Sequence, residues 1–182
     1  DKNGVPLEGV YVDRNGDGKI NNADKYFYKS PMAPWTAGFT LKVQYKQWDF
    51  GFSLRASIGN YVYNDLEARS ANVSTVFSKG FLSNRPTYSL QPRWTTDDNV
   101  FSDRFVQNGS FLRMENITLG YSFENLLKGA RYEGINGRLY VTASNVFTLT
   151  KYKGLDPDVF GGIDNNVYPR PFSILAGVSL NF

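Results

Sequence analysis

The sequence lacks cysteine and histidine altogether. Without cysteine, the chain can have neither a disulfide framework nor thiolate chemistry. Without histidine, it can hold neither a Ser-His-Asp triad nor the common zinc sites. It also lacks any apolar run of about 18 residues, which excludes a transmembrane helix. The net charge is only +3 and the basic residues are scattered, so no nucleic-acid-binding face is indicated.

A signal-peptide pattern is missing too, and the first residue is not methionine. We therefore expect the chain to be a fragment or a processed piece of a longer protein. Aromatic residues, in contrast, are abundant, with 12 tyrosines and 14 phenylalanines among 182 residues. This length would suffice for one ordinary domain.

One sharp motif lies in the polar segment 1–34 and reads DRNGDGKINNAD. It matches the EF-hand calcium loop, in which hard oxygen ligands alternate along the chain and a glycine allows the sharp turn. The predicted ligands are Asp13, Asn15, Asp17, the carbonyl of Lys19, Asn21 and Asp24. No helical pattern flanks the loop, so we expect a structural ion rather than a calcium sensor. The alternative is a turn-rich loop held by Asx-turns.

Alternating apolar and polar residues predict five β-strands. They span residues 35–45, 48–58, 111–123, 137–148 and 171–182. Only Lys46 and Gln47 separate the first two strands, which predicts a β-hairpin. In the third strand the apolar residues change phase near Glu115 and Asn116, which predicts a β-bulge.

Two long connections, 59–110 and 149–170, show no steady period, apart from a possible short helix near residues 64–70. Weak candidates for contact with a substrate or a lid are Tyr61, Tyr63, Tyr88 and Trp94. Burial of these aromatic residues within the loop is the alternative. Three acids of the second loop could form another cation site, although we expect them to be solvated: Asp156, Asp158 and Asp164.

Strand lengths near eleven residues, aromatic strand ends and alternating short and long loops favour a transmembrane β-barrel. The predicted fold is all-β, with antiparallel up-and-down strands. Five strands cannot close a barrel, so we expect them to be the C-terminal part of a larger one. If Phe182 ends on the periplasmic side, counting strands back from it makes the long loops and the calcium loop extracellular. A soluble β-sandwich also alternates and is the competing interpretation.

Four stretches resemble the C-terminal barrel region of the SusC/RagA family of TonB-linked outer-membrane proteins. They read GVYVDRNGDGKINNAD, WDFGFSLRASIGNYVY, FVQNGSFLRMENITLGY and FSILAGVSLNF, and SNVF and LDPD follow the third of them. The resemblance implies an outer-membrane barrel of about 22 strands with a plug. It also implies a SusD-like surface lipoprotein as a lid, and energy supplied through TonB. Phe182 resembles the terminal aromatic residue that the barrel-assembly machinery recognises.

The resulting hypothesis is TonB-dependent import of a large nutrient, an oligosaccharide or a peptide, without covalent chemistry. Residues expected to face the barrel lumen are Lys42, Gln44, Asp49, Arg55, Arg138 and Tyr140. The alternative function is that of a secreted β-sandwich that binds glycans and holds a structural calcium ion. A glycoside hydrolase would need two carboxylates facing a cleft, and adjacent acids such as Asp97 and Asp98 point apart on an extended chain. We therefore expect no enzyme.

Overall fold

The computed structural model of the protein describes residues 2–3, 5–84, 87, 94–95, 102–126, 134–165 and 168–181. The chain forms two compact units, and each is described by itself. The sheet unit comprises Ala33–Gly59, Gly109–Lys151 and Pro169–Phe182; the loop unit comprises Asp1–Met32, Asn60–Asn108 and Tyr152–Tyr168. Within the described residues, no helix has the length and apolar character that a membrane span requires.

Regular structure in these ranges consists of eight β-strands and one α-helix, besides short 3-10 turns. In chain order the elements are β1 (Trp35–Tyr45), β2 (Trp48–Ile58), β3 (Tyr61–Asn64), α1 (Asp65–Ser70), β4 (Val106–Asn108), β5 (Phe111–Leu126), β6 (Ile135–Thr150), β7 (Ile163–Asp164) and β8 (Ser173–Asn181). The long strands belong to the sheet unit, and the short elements belong to the loop unit.

The sheet unit is one five-stranded antiparallel sheet in the order β1-β2-β5-β6-β8. Each strand pairs with the one before it in this unit, which is the up-and-down order expected from the sequence. The predicted all-β, antiparallel fold class is thereby confirmed. β1 and β2 have the predicted bounds, whereas β5 and β6 are longer because their pairing continues from Phe111↔Thr150 to Leu126↔Ile135.

Pairing in register makes one face of this sheet continuously apolar. One row across all five strands consists of Val43, Phe50, Leu119, Val141 and Ala176. These side chains are largely exposed, and Ile174 and Val178 on β8 are 66% and 60% exposed. A β-sandwich would bury such a face under a second sheet, and within the described residues this face is exposed.

The opposite face is polar and carries an ion pair that spans three strands. Arg138 on β6 reaches across β5 to Asp49 on β2, with nitrogen–oxygen distances of 2.8 and 2.5 Å. The pair passes directly over Gly120, where a Cβ atom would lie 2.3 Å from Asp49 Oδ1. Glycine is therefore needed at this position of β5 for the two side chains to meet.

A β-bulge in β5 keeps both faces continuous where the sequence changes phase. Ser53 pairs with Asn116 and Leu54 pairs with Met114, so Glu115 has no opposite residue on β2. The extra residue moves the apolar side chains of β5 from even positions before the bulge to odd positions after it, so that they stay on the same face. The bulge predicted near Glu115 is thus confirmed.

The loop unit contains a small three-stranded sheet in the order β4-β3-β7, in which β3 pairs antiparallel with β4 and parallel with β7. Asn64 caps the short helix α1 by accepting a hydrogen bond from the Glu67 amide. A hydrophobic cluster joins α1 to the segments around it, and its buried members are Ala68, Ala71, Trp94 and Phe105.

The expectation that 59–110 is an irregular loop was therefore wrong in part. This segment holds β3, β4 and a capped helix at Asp65–Ser70, close to the place where a short helix was suggested. Strands of two to four residues are too short to show a period, and the partners of β3 are distant in sequence. The local sequence therefore does not predict the pairing of β3 with β4 and β7.

We predict that Gly120→Ala weakens the sheet, because the added methyl group separates Asp49 from Arg138. The expected loss in the free energy of unfolding of the intact receptor is about 1–3 kcal/mol. Urea unfolding in detergent micelles measures it. Gly38→Ala on β1 is the matched control, since a Cβ there meets no atom within 4 Å. Equal unfolding midpoints in the two variants would contradict the role assigned to the ion pair.

Candidate functional site

The segment Asp13–Asp24 folds around its own acidic side chains. Asp13 accepts hydrogen bonds from the backbone amides of Gly16 and Gly18, both at 2.7 Å. Asn15 accepts from the Asp17 amide at 3.0 Å, and Asp17 accepts from the Lys19 amide at 2.8 Å. The φ angles of Gly16 and Gly18 are 76° and 78°, a left-handed conformation that glycine adopts without strain. The side-chain oxygens of Asp13, Asn15 and Asp17 thus all point back to the backbone of the loop.

Asp24, the last residue of this loop, closes it by binding the backbone at the second and ninth residues. Its two carboxylate oxygens accept from the Arg14 amide at 2.9 Å and from the Asn21 amide at 2.8 Å. These bonds, that from Asn21 first, lower the pKa of the Asp24 carboxyl. Because the charged form is favoured in the folded chain, this closure is present at neutral pH and is lost as pH falls through the lowered pKa.

The donor set of this loop suits a hard cation. Three carboxylates, two amide oxygens and one backbone carbonyl are the oxygen types that Ca²⁺ prefers. Each carboxylate has about four lone-pair positions, and the amides use only some of them. In the described part of the chain, no three or more Asp, Glu, His or Cys side chains are grouped closely enough to hold a metal by themselves. An ion would therefore depend on the amide and carbonyl oxygens as well.

The aromatic candidates of the loop unit differ in accessibility. Tyr61 is half-buried with the Lys29 ammonium 4.9 Å above its ring. Trp94 is buried and packs edge-on against Phe105, and Tyr63 packs against the same cluster. For Trp94 the structure thus favours burial within the loop, the alternative to contact with a substrate. Tyr88 lies outside the described residues.

The sequence led us to expect that the three acids of the second long loop are solvated. This expectation was wrong for two of them. Asp164 is completely buried in β7 and accepts a 2.7 Å hydrogen bond from the Tyr152 hydroxyl. Asp156 is also buried and accepts from the Asp158 amide. Asp164 is buried because the parallel pairing of β7 with β3 places it in the interior of the loop unit.

On the sheet unit, the residues predicted to face a lumen do share the polar face. They are Lys42, Gln44, Asp49, Arg55, Arg138 and Tyr140. Arg55 pairs with Glu115 at 2.8 Å, just as Arg138 pairs with Asp49. A carboxylate on the adjacent strand therefore pairs with Arg55, and a carboxylate two strands away pairs with Arg138.

The sequence did not point to several residues that shape these sites. Arg113 on β5 is buried on the polar face and donates to the Thr148 hydroxyl at 2.9 Å. Tyr26 donates to Asp103, a residue 77 positions away. The bulge at Glu115 could have indicated that Arg113 faces the same side as Arg55. No sequence signal connects Tyr26 with Asp103.

Known TonB-dependent receptors are similar to this chain in sequence. The TonB-dependent receptor SusC of Bacteroides thetaiotaomicron is 50% identical over 184 residues, which cover 100% of the chain and 18% of that receptor. A TonB-dependent receptor of Formosa agariphila is 32% identical over 162 residues, covering 86% of the chain and 16% of the receptor. No protein-family model matches the chain.

Solved structures give the same result. The RagAB peptide importer in its closed-closed state superposes with a TM-score of 0.69 at 25% identity, over 91% of the chain and 20% of the importer chain. The structure of the RagAB peptide transporter gives a TM-score of 0.67 at 29% identity, over 86% of this chain and 18% of that one. The chain spans about a fifth of the length of these relatives.

A match along the whole chain, in sequence and in structure, defines the chain as a segment of a TonB-dependent receptor. Within that class it belongs to the SusC/RagA family, as its resemblance to the C-terminal barrel region implied. These relatives are receptors and importers rather than enzymes, which confirms that prediction as well.

Proposed function

We propose that the intact receptor imports a large nutrient across the outer membrane, driven through TonB and assisted by a SusD-like lipoprotein lid. The observation that carries this proposal is the 50% identity to the SusC receptor over the full length of the chain. The plug and the segment that contacts TonB would lie elsewhere in the intact receptor, since the chain matches only 18% of that relative.

The two faces of the sheet suit a strand assembly that crosses a membrane. An exposed apolar face suits lipid, and a polar face with paired charges suits a hydrated lumen. At the end of the sheet beside the Lys46–Gln47 turn, the rings of Trp48 and Tyr121 lie 4.9 Å apart, which suits an interfacial aromatic girdle. β1 and β8 form the two sheet edges. Because an edge exposed to lipid leaves backbone groups unsatisfied, further strands of the receptor would pair with both.

Two cargo classes follow from this proposal. RagAB is a peptide importer by name, and a peptide would be held through its backbone. The family resemblance also implies oligosaccharides, which aromatic rings and hydrogen bonds would hold. Tyr61 and Tyr63 remain weak candidates for contact with cargo or lid, together with Tyr88. Phe182, which lies outside the described residues, remains the candidate assembly signal.

Uptake in cells tests the import proposal. Deletion of the whole receptor gene should abolish accumulation of labelled oligosaccharides or peptides too large for porins, and the intact gene should restore it. Deletion of TonB should have the same effect, whereas a monosaccharide or a dipeptide should enter all strains equally. The class of cargo that is lost identifies the substrate. Unchanged uptake of both classes in the deletion strain would contradict the proposal.

We also propose that Asp13–Asp24 binds one structural Ca²⁺ on the extracellular side. The support is the match to the calcium-loop motif, the folding of the segment around its own oxygens and the closure of the loop by Asp24. The ligands would be the carboxylates of Asp13, Asp17 and Asp24, the amide oxygens of Asn15 and Asn21, and the carbonyl of Lys19. A bound ion would offset the mutual repulsion of the three carboxylates.

Isothermal titration of the intact receptor checks the calcium proposal. Asp13→Ala/Asp17→Ala should lose the Ca²⁺ binding heat entirely, because two of the three carboxylates are removed. Lys19→Ala is the matched control, since it removes only a side chain and keeps the carbonyl; its affinity should stay within about twofold of wild type. Equal binding heats in wild type and the double variant would refute the site.

A further inference from the structure

The segment that follows the calcium loop is tied to a distant part of the loop unit. Tyr26, two residues after Asp24, donates its hydroxyl to Asp103 Oδ2 at 2.6 Å. The Arg14 guanidinium lies 3.8 Å from the centre of the Tyr26 ring. The backbone amide of Arg14 in turn donates to Asp24. The Tyr26 ring therefore contacts Arg14, the second residue of the loop, while Tyr26 itself lies two residues after Asp24, the last one.

The far end of this connection is anchored in the hydrophobic cluster. Asp103 begins a 3-10 turn, Asp103–Phe105, that Ser102 caps by accepting from the Arg104 amide. Phe105 ends the turn, is 1% exposed, and packs against Trp94 and Tyr63 with ring-centre distances of 5.9 and 6.1 Å. Asp103 is thus the accessible end of a turn whose other end is fixed in the core.

The contacts of Tyr26 with Arg14 and with Asp103 depend on the shape of the loop Asp13–Asp24. A cation would hold the Asp24 carboxylate in place, and Asp24 holds the Arg14 backbone. When the cation leaves, repulsion among three carboxylates favours opening of the loop, which displaces Arg14 from the Tyr26 ring. The hydroxyl of Tyr26 then loses its fixed direction towards Asp103.

We propose that Tyr26 and Asp103 couple cation binding in Asp13–Asp24 to the order of the turn at residues 102–105. This inference rests on the calcium part of the proposed function. Tyr26 acts as a positioning residue, because it would contact neither the ion nor the cargo. Coupling between two sites is reciprocal, so the ion orders the turn and the ordered turn strengthens the binding of the ion by the same factor.

Hydrogen exchange of the intact receptor, with excess Ca²⁺ or with a chelator, tests the coupling together with calcium titration. In wild type, Ca²⁺ should slow amide exchange at residues 102–105 by roughly three- to tenfold, the effect of one hydrogen bond. Tyr26→Phe keeps the ring and removes the hydroxyl. It should abolish this protection and weaken Ca²⁺ binding by the same three- to tenfold factor.

Tyr28→Phe is the matched control. Tyr28 is 47% exposed against 43% for Tyr26. Within the described residues the Tyr26 hydroxyl donates a hydrogen bond, and the Tyr28 hydroxyl forms none. This variant should behave as wild type in both measurements. Asp103→Asn should weaken both effects, and adding it to Tyr26→Phe should cause no further loss.

The possible failures are distinguishable. A wild-type receptor that binds no Ca²⁺ refutes the calcium proposal itself and the coupling with it. If wild type and Tyr26→Phe bind Ca²⁺ with the same affinity and show the same protection of residues 102–105, the coupling is refuted. The calcium site is then left intact. Additive losses in the double variant would also overturn the coupling.

Discussion

Backbone pairing in register is the constraint on which the sheet unit depends. Hydrocarbon offers no hydrogen-bond partners, so a strand crossing a membrane must be paired along its whole length. Because side chains alternate strictly, a shift of one residue would turn apolar side chains to the polar face of the sheet. The bulge at Glu115 keeps the apolar row continuous despite a change of phase in β5, and the ion pair over Gly120 ties β2, β5 and β6 together on the other face.

The loop unit is organised by different forces. It has a small hydrophobic cluster, a short three-stranded sheet and buried polar pairs such as Tyr152 with Asp164. The candidate calcium loop contributes no hydrophobic side chain to that cluster. Contacts at its ends, through Arg14 and Tyr26, connect it to the turn that carries Phe105.

The sequence predicted the long strands well because eleven or more alternating residues leave one interpretation. It also located the bulge, since a change of phase inside a strand requires one. It could not predict β3, β4 and β7, whose few residues show no period and pair with distant segments. The burial of Asp164 and the hydrogen bond between Tyr26 and Asp103 could not be predicted either, because both depend on contacts between segments distant in sequence. Recognising the family required the order of several motifs rather than any single residue.

The central claim is that the apolar face of the sheet meets lipid while the polar face lines an aqueous lumen. Spin labels on single cysteines at Val141 and Thr142 of β6, in the intact receptor reconstituted in bilayers, test it most directly. The absence of native cysteine from these 182 residues simplifies the labelling. We expect the label at Val141 to be relaxed by oxygen dissolved in lipid, and the label at Thr142 by a water-soluble nickel complex. Equal accessibility of both labels to the nickel complex would contradict the claim.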